Sequence, residues 1–225
     1  DYLNCVVPYN DPDYVDNRPN VRITEDRVIP FGNGLGMNPT MAPIKDLYDE
    51  GKVAIIHGTG YPIPSRSHFR SMDIWHTAEP TKVGNEGWLG NTINQMYPQH
   101  DNVVAAVNFG AGLPRALVAH GAPVASVTDL KTYGLMNHMG ESQQRNEALQ
   151  AFRDMYSQAI GSGPVMDYLS QTGLDALKGA DILGTVLDKY SSDVEYADNS
   201  FSKAMKGAAQ VLQAEIGTRI CYTQH

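Results

Sequence analysis

Val53-Ala54-Ile55-Ile56-His57 runs through Gly58-Thr59-Gly60 into Tyr61-Pro62-Ile63-Pro64-Ser65-Arg66-Ser67-His68-Phe69-Arg70-Ser71-Met72-Asp73-Ile74-Trp75-His76. The apolar run, the Gly/Pro loop and the helical register after it predict a strand over 53–57, a turn, and a helix over 67–77. A helix N-terminus carries unpaired N–H groups and partial positive charge, so it suits an anion. Ser65, Arg66, Ser67 and His68 open this helix and are the first candidates for an oxyanion-handling site. His57 closes the strand before Gly58, where open α/β sheets place ligands; a hydrogen-bonded core histidine fits the same position.

Outward from this stretch the chain alternates strand and helix signals. On the N-terminal side, residues 2–7, 21–23 and 27–29 read as short strands, and 8–20 as a polar loop punctuated by Pro. Asn38 is placed to cap a helix over 40–50 that ends at Gly51. On the C-terminal side, Trp88-Leu89 opens a helix that Pro98 ends. Residues 103–107 read as a buried strand, Gly110-Ala111-Gly112 as a turn, and the segment to 128 as short strands. Residues 141–158, 164–191 and 199–216 are helical, with breaks at Gly161-Ser162-Gly163-Pro164 and Asp198-Asn199-Ser200, and Thr218–Thr223 returns to strand. This alternation predicts an α/β sheet covered on both faces, with a mainly helical segment over 141–216.

The 225 residues suit a single large domain. A net charge of −8 and the lack of a Lys/Arg cluster argue against nucleic acid as partner. No apolar run approaches the ~20 residues of a transmembrane helix. Cys5 and Cys221 stand far apart with no C-x-x-C spacing, so buried thiols are expected rather than a zinc site or redox pair. The chain begins without Met and stops on a strand, which predicts a piece of a longer polypeptide.

Several stretches together resemble a large, mostly exported bacterial family, domain-of-unknown-function family fifteen hundred and one, a relative of sulfatases and alkaline phosphatases. They are Asp1-Tyr2-Leu3-Asn4-Cys5-Val6-Val7-Pro8-Tyr9, Asn38-Pro39-Thr40-Met41-Ala42-Pro43, Leu47 to Gly58, Arg66-Ser67-His68-Phe69, Gly87-Trp88-Leu89-Gly90 and Ile216-Gly217-Thr218-Arg219. The resemblance spans most of the chain. It implies an alkaline-phosphatase-like fold over 1–225, with a mainly parallel central sheet between helical layers, truncated at both termini. It further implies an exported, periplasmic or cell-surface protein. The implied activity is metal-dependent hydrolysis of sulfate or phosphate esters, with an anionic small molecule or sulfated glycan as substrate. The implied cofactor is a divalent metal ion: zinc, calcium or magnesium. The alternative is a non-catalytic envelope or surface protein of the same fold that binds a glycan or protein partner.

Within that resemblance Ser67 takes the place of the nucleophile, with His68 as its polar neighbour, Arg66 and Ser65 as anion ligands, and Asp1 and His57 as metal ligands. The competing reading of Ser67 is a plain helix cap. Pro64-Ser65-Arg66 matches the Pro-Ser-Arg of sulfatases, yet Pro62 stands where a sulfatase carries its Cys, so a formylglycine mechanism is not expected. His68 and His76 are eight residues apart on one helix, too far for a shared metal. Asp11, Asp13 and Asp16 alternate as in a calcium loop but lack its central Gly and closing Glu. His100, His120 and His138 read as solvated loop residues, Trp75 and Trp88 as packing residues, and Leu135-Met136-Asn137-His138-Met139 as packing or a loop over a pocket.

Overall fold

The structure of the chain is a computed structural model, and it describes residues 2–134, 142–157 and 163–224. Asp1, the Met-rich stretch with His138, and the Gly161-Ser162 break therefore lie outside the described residues. The chain divides into two compact units, Asp1–Pro62 and Ile63–His225.

In the first unit, β1 (Val6–Val7), β2 (Ile29–Gly32) and β3 (Leu35–Met37) form an antiparallel sheet in the order β1-β3-β2. Helix α1 (Pro12–Asn17) is capped by Asp11, whose carboxylate accepts from the Asp13 amide (2.8 Å). The alternating aspartates thus begin a helix rather than a calcium loop. Val7, Tyr14 and Ile23 are the core, and the Tyr14 hydroxyl donates to Asn4 Oδ1 (2.8 Å) while accepting from the Ile23 amide (2.9 Å). Helix α2 (Ala42–Asp49) closes as the sequence predicts. The Lys52 amide donates to the Leu47 carbonyl and the Gly51 amide to the Tyr48 carbonyl, with Gly51 at φ +74°.

The second unit is built on a parallel sheet. Helices α3 (His68–Thr77) and α4 (Trp88–Met96) precede β4 (Ala106–Phe109) and β5 (Val124–Val127). Then come α5 (Ser142–Ser157), α6 (Pro164–Gly184), α7 (Val186–Lys189), α8 (Ser200–Gln213) and β6 (Ile220–Thr223). The order is β5-β4-β6, with Ala106 beside Val124 and Ile220, and Phe109 beside Val127 and Thr223. β4 is central and wholly buried, which is why it reads as a continuous apolar run. Val107 and Phe109 face a core with Val127, Leu183, Val186 and Val211, while Ala106 faces Ile93 and Leu117. Helices thus cover both faces of a parallel sheet, and the chain as a whole is mixed α/β.

The strand predicted over 53–57 is not formed. Residues 52–57 have no regular structure and no ladder partner, and Ile56 is 78% exposed. Apolar composition alone does not make a strand, because the backbone groups need a neighbouring edge. Val21 belongs to a turn and residues 22–23 have no regular structure; residues 2–4 form a 3-10 turn, and 115–117 a further 3-10 turn in place of a strand. β4 starts at Ala106 instead of 103 because Asn102 Oδ1 accepts from the Val104 amide (3.1 Å) and bends the chain there. No described helix is long and apolar enough to cross a membrane.

Candidate functional site

Ser67 is the N-cap of α3. Its Oγ accepts from the Arg70 amide at 3.4 Å, and Ser65 Oγ accepts from the Ser67 amide at 3.2 Å. The Ser71 hydroxyl donates to the Ser65 carbonyl (3.1 Å). The local chain therefore brings Ser65 and Ser67 together. Arg66, Ser67 and His68 are exposed, and the four principal cavities are lined by other residues. His57 is exposed in the first unit, and Asp1 is outside the described residues. Among the described residues, no three His, Cys, Asp or Glu side chains come close enough to hold a metal ion.

Further along α3, Asp73 is taken up by structure. Its side chain is 13% exposed and ion-pairs with both Arg70 and Arg115. Arg70 also donates to the carbonyls of Glu79 (2.8 Å) and Lys82 (2.6 Å), and Arg115 donates to that of Gly84. The pair of guanidinium forks thus fastens the 79–84 loop to α3 and to the 115–117 turn. The adjoining Gly87 donates its amide to the Val118 carbonyl (2.7 Å), and a Cβ there would collide with the Ala116 and Arg115 carbonyls. Gly90 likewise lies against Ala119, so Gly87-Trp88-Leu89-Gly90 is a packing surface. Trp88 is 46% exposed and Trp75 69%, so neither is a core residue.

The feature with binding geometry lies elsewhere, at the carboxyl edge of the parallel sheet. There a cavity of about 540 Å³ opens between the ends of β4, β5 and β6 and the first half of α8. Beside it, buried Asn108 donates through Nδ2 to the Gly112 carbonyl (2.9 Å) and to Ser126 Oγ (2.9 Å). The Gly110-Ala111-Gly112 turn is thereby held open over the strand ends. α8 approaches β4 closely, since a Cβ on Gly207 would fall 2.6 Å from Phe109 Cε1. Lys131, Lys203 and Lys206 line the cavity, with Thr128, Ser200 and Thr223 supplying hydroxyls.

The charges there are partly matched. Lys203 Nζ is 2.6 Å from Asp198, which raises the ammonium pKa through the hydrogen bond and holds the Asp198 carboxyl below its ordinary value. Lys206 Nζ stands 5.9 Å from the centre of the Tyr196 ring. The neighbouring Tyr190 phenol is lowered by its hydrogen bonds to Ser192 and Tyr196 and by the Lys206 charge, while Tyr196 is raised by its bond with Tyr190. Ammonium and hydroxyl donors converging at the mouth of an open α/β sheet suit an anion.

No match emerges. Family models, curated proteins and solved structures all lack a significant counterpart to this chain. The lysine site was not anticipated from the sequence. Its signals are the i, i+3 pair Lys203 and Lys206 after the Asn199 cap, and the glycine turn after the buried strand.

Proposed function

We propose that the chain binds a sulfate- or phosphate-bearing small molecule at the carboxyl edge of its parallel sheet, as part of an alkaline-phosphatase-like hydrolase of such esters. The observation that carries this reading is the convergence of Lys131, Lys203 and Lys206 on one cavity in a chain of net charge −8. Asp129 also lines the cavity and Asp198 pairs with Lys203, so the three ammonium groups leave a small positive excess there, against the general field of the molecule, that favours an anion at the strand ends. Thr128 and Ser200 add neutral donors that an oxyanion needs for its remaining lone pairs, while the Thr223 hydroxyl is committed to the Phe109 carbonyl.

The hydrolytic half of the proposal is supported by the family resemblance and by the position of Ser67, Arg66 and His68 at the start of α3. Ser67 is the proposed nucleophile, with Arg66 and Ser65 as its anion ligands; none of the three lines the lysine cavity, so they form a second proposed site apart from it. Export to the periplasm or cell surface goes with the same resemblance. The described residues do not fit a metal site, since no three ligand-type side chains cluster among them, and no step is routed through a metal.

The test is binding of inorganic sulfate and phosphate by isothermal titration, beside turnover of an aryl sulfate and an aryl phosphate. Lys206→Ala is expected to weaken anion binding about tenfold, the loss of one charge-assisted contact. Ser67→Ala is expected to abolish turnover. Anion binding without turnover in the unsubstituted chain moves the reading to a non-catalytic binder. Affinity unchanged in Lys206→Ala overturns the site.

A further inference from the structure

A second cavity, of about 620 Å³, lies at the amino end of β5 against α6, and its lining is of a different kind. Among the described lining residues there is no Lys or Arg, so nothing there selects an anion. One wall carries two aromatic rings: those of His120 and Tyr168 stack with centroids 5.7 Å apart and planes 22° apart, and Tyr168 is half exposed. The backbone under His120 is fixed on both sides. Its amide donates to Glu86 Oε1 (3.0 Å) and its carbonyl accepts from Asn94 Nδ2 (2.9 Å). The backbone that carries the His120 ring is therefore held in place before any ligand arrives, which lowers the entropy cost of binding.

Facing it, His100 is held at φ +52°, a conformation that non-glycine residues rarely adopt. Its ring lies over Gly121, where an added Cβ would come within 3.0 Å of Cε1. Strained backbone beside a cavity is a recurrent mark of ligand clamps. Along α6, Gln171 Nε2 donates to Asp175 Oδ1 (2.7 Å). That bond uses one donor of the amide and one carboxylate oxygen, and both residues line the cavity.

We propose that this cavity binds a neutral pyranose ring, as found in a glycoside or an uncharged glycan residue. The C–H face of such a ring lies flat on an aromatic ring, for which half-exposed Tyr168, backed by His120, is the candidate. Its vicinal hydroxyls need donors and acceptors arranged side by side, which Gln171, Asp175 and the His100 imidazole supply. The volume is in the range of small-molecule sites and holds one to two such rings. The proposal stands apart from the anion site, with which it shares no lining residue.

The experiment is isothermal titration of the whole chain with the methyl glycosides of glucose, galactose, mannose and N-acetylglucosamine, with adenosine as an aromatic control. Saturable binding of at least one glycoside is expected, with a Kd of about 1 mM. Tyr168→Ala and Asp175→Asn should each weaken it about tenfold with the melting temperature unchanged, because Tyr168 is half exposed and the Asn retains the shape of the Asp. Lys206→Ala should leave it unaltered, which separates this site from the anion site. No saturable binding of any of the four, binding indifferent to both substitutions, or binding of adenosine alone overturns the proposal.

Discussion

Ser67 carries a cap and a proposed nucleophile on one oxygen, and stability separates the two. Its bond to the Arg70 amide is long at 3.4 Å, so the cap is a modest one. Ser67→Ala should cost about 1 kcal/mol in denaturant unfolding, and Ser67→Gly only a few tenths. If aryl-ester turnover falls equally in the two variants, the hydroxyl acts on substrate; if turnover follows the stability order, it is a cap alone. Cys221 gives a pH test at the same scale. Burial pushes its thiol pKa up, so the folded state holds the proton more tightly than the unfolded chain. That contribution is fully present below the unfolded thiol value of about 8.5 and is lost as pH rises through the higher folded value. Stability should therefore drop between about pH 7 and about pH 10, and drop less in Cys221→Ala, as read by denaturant unfolding at the two values. Exposed Cys5 should be alkylated by iodoacetamide well before Cys221.

At the level of elements, α3 is held by charge more than by apolar burial, for Ile74 and Thr77 are its only fully buried residues. Asp73→Asn removes the carboxylate shared by Arg70 and Arg115 and leaves two part-buried guanidinium groups facing each other. A loss of about 2–4 kcal/mol is expected, together with faster amide exchange over 79–84, since Arg70 holds the carbonyls of that loop. Measured hydrogen exchange confined to α3 with the loop unmoved would count against the latch. These elements were unequally legible. α2, α3 and α4 could be read because capping and stop residues act locally: Ser67, Gly51 and Pro98 mark ends regardless of the rest of the fold. Strand positions depend on partners distant in sequence. Val53-Ala54-Ile55-Ile56 has strand composition yet pairs with nothing, whereas β4 pairs with a segment 114 residues away. The onset of β4 is set by the Asn102 side chain, which periodicity does not register.

On the scale of the molecule, the same distinction explains why the lysine cavity escaped a linear reading while Ser65, Arg66, Ser67 and His68 did not. Contiguous residues announce themselves; Lys131, Lys203 and Lys206 meet only because α8 runs back to the carboxyl edge before β6. The join between the two units is equally a property of the whole. From Lys52 to Ser67 the chain has no regular structure, and most of its side chains are exposed. Ile63, the first residue of the second unit, sits at φ +54° while 94% exposed. A β-branched residue in that conformation is strained by about 1–2 kcal/mol, which favours local opening of the chain there. Proteases need an extended, accessible stretch of about ten residues, and loop segments of this kind are where nicking concentrates. Lys52 and Arg66 bracket the stretch, and both are exposed. Limited trypsin digestion followed by mass spectrometry should therefore show cuts after Lys52 and Arg66 before any cut within α6 or α8, whose backbone amides are held in helical hydrogen bonds. A first cut after Lys178 or Lys206 would mean that the helical cover of the parallel sheet opens more readily than the join, and that the second unit is the less stable of the two.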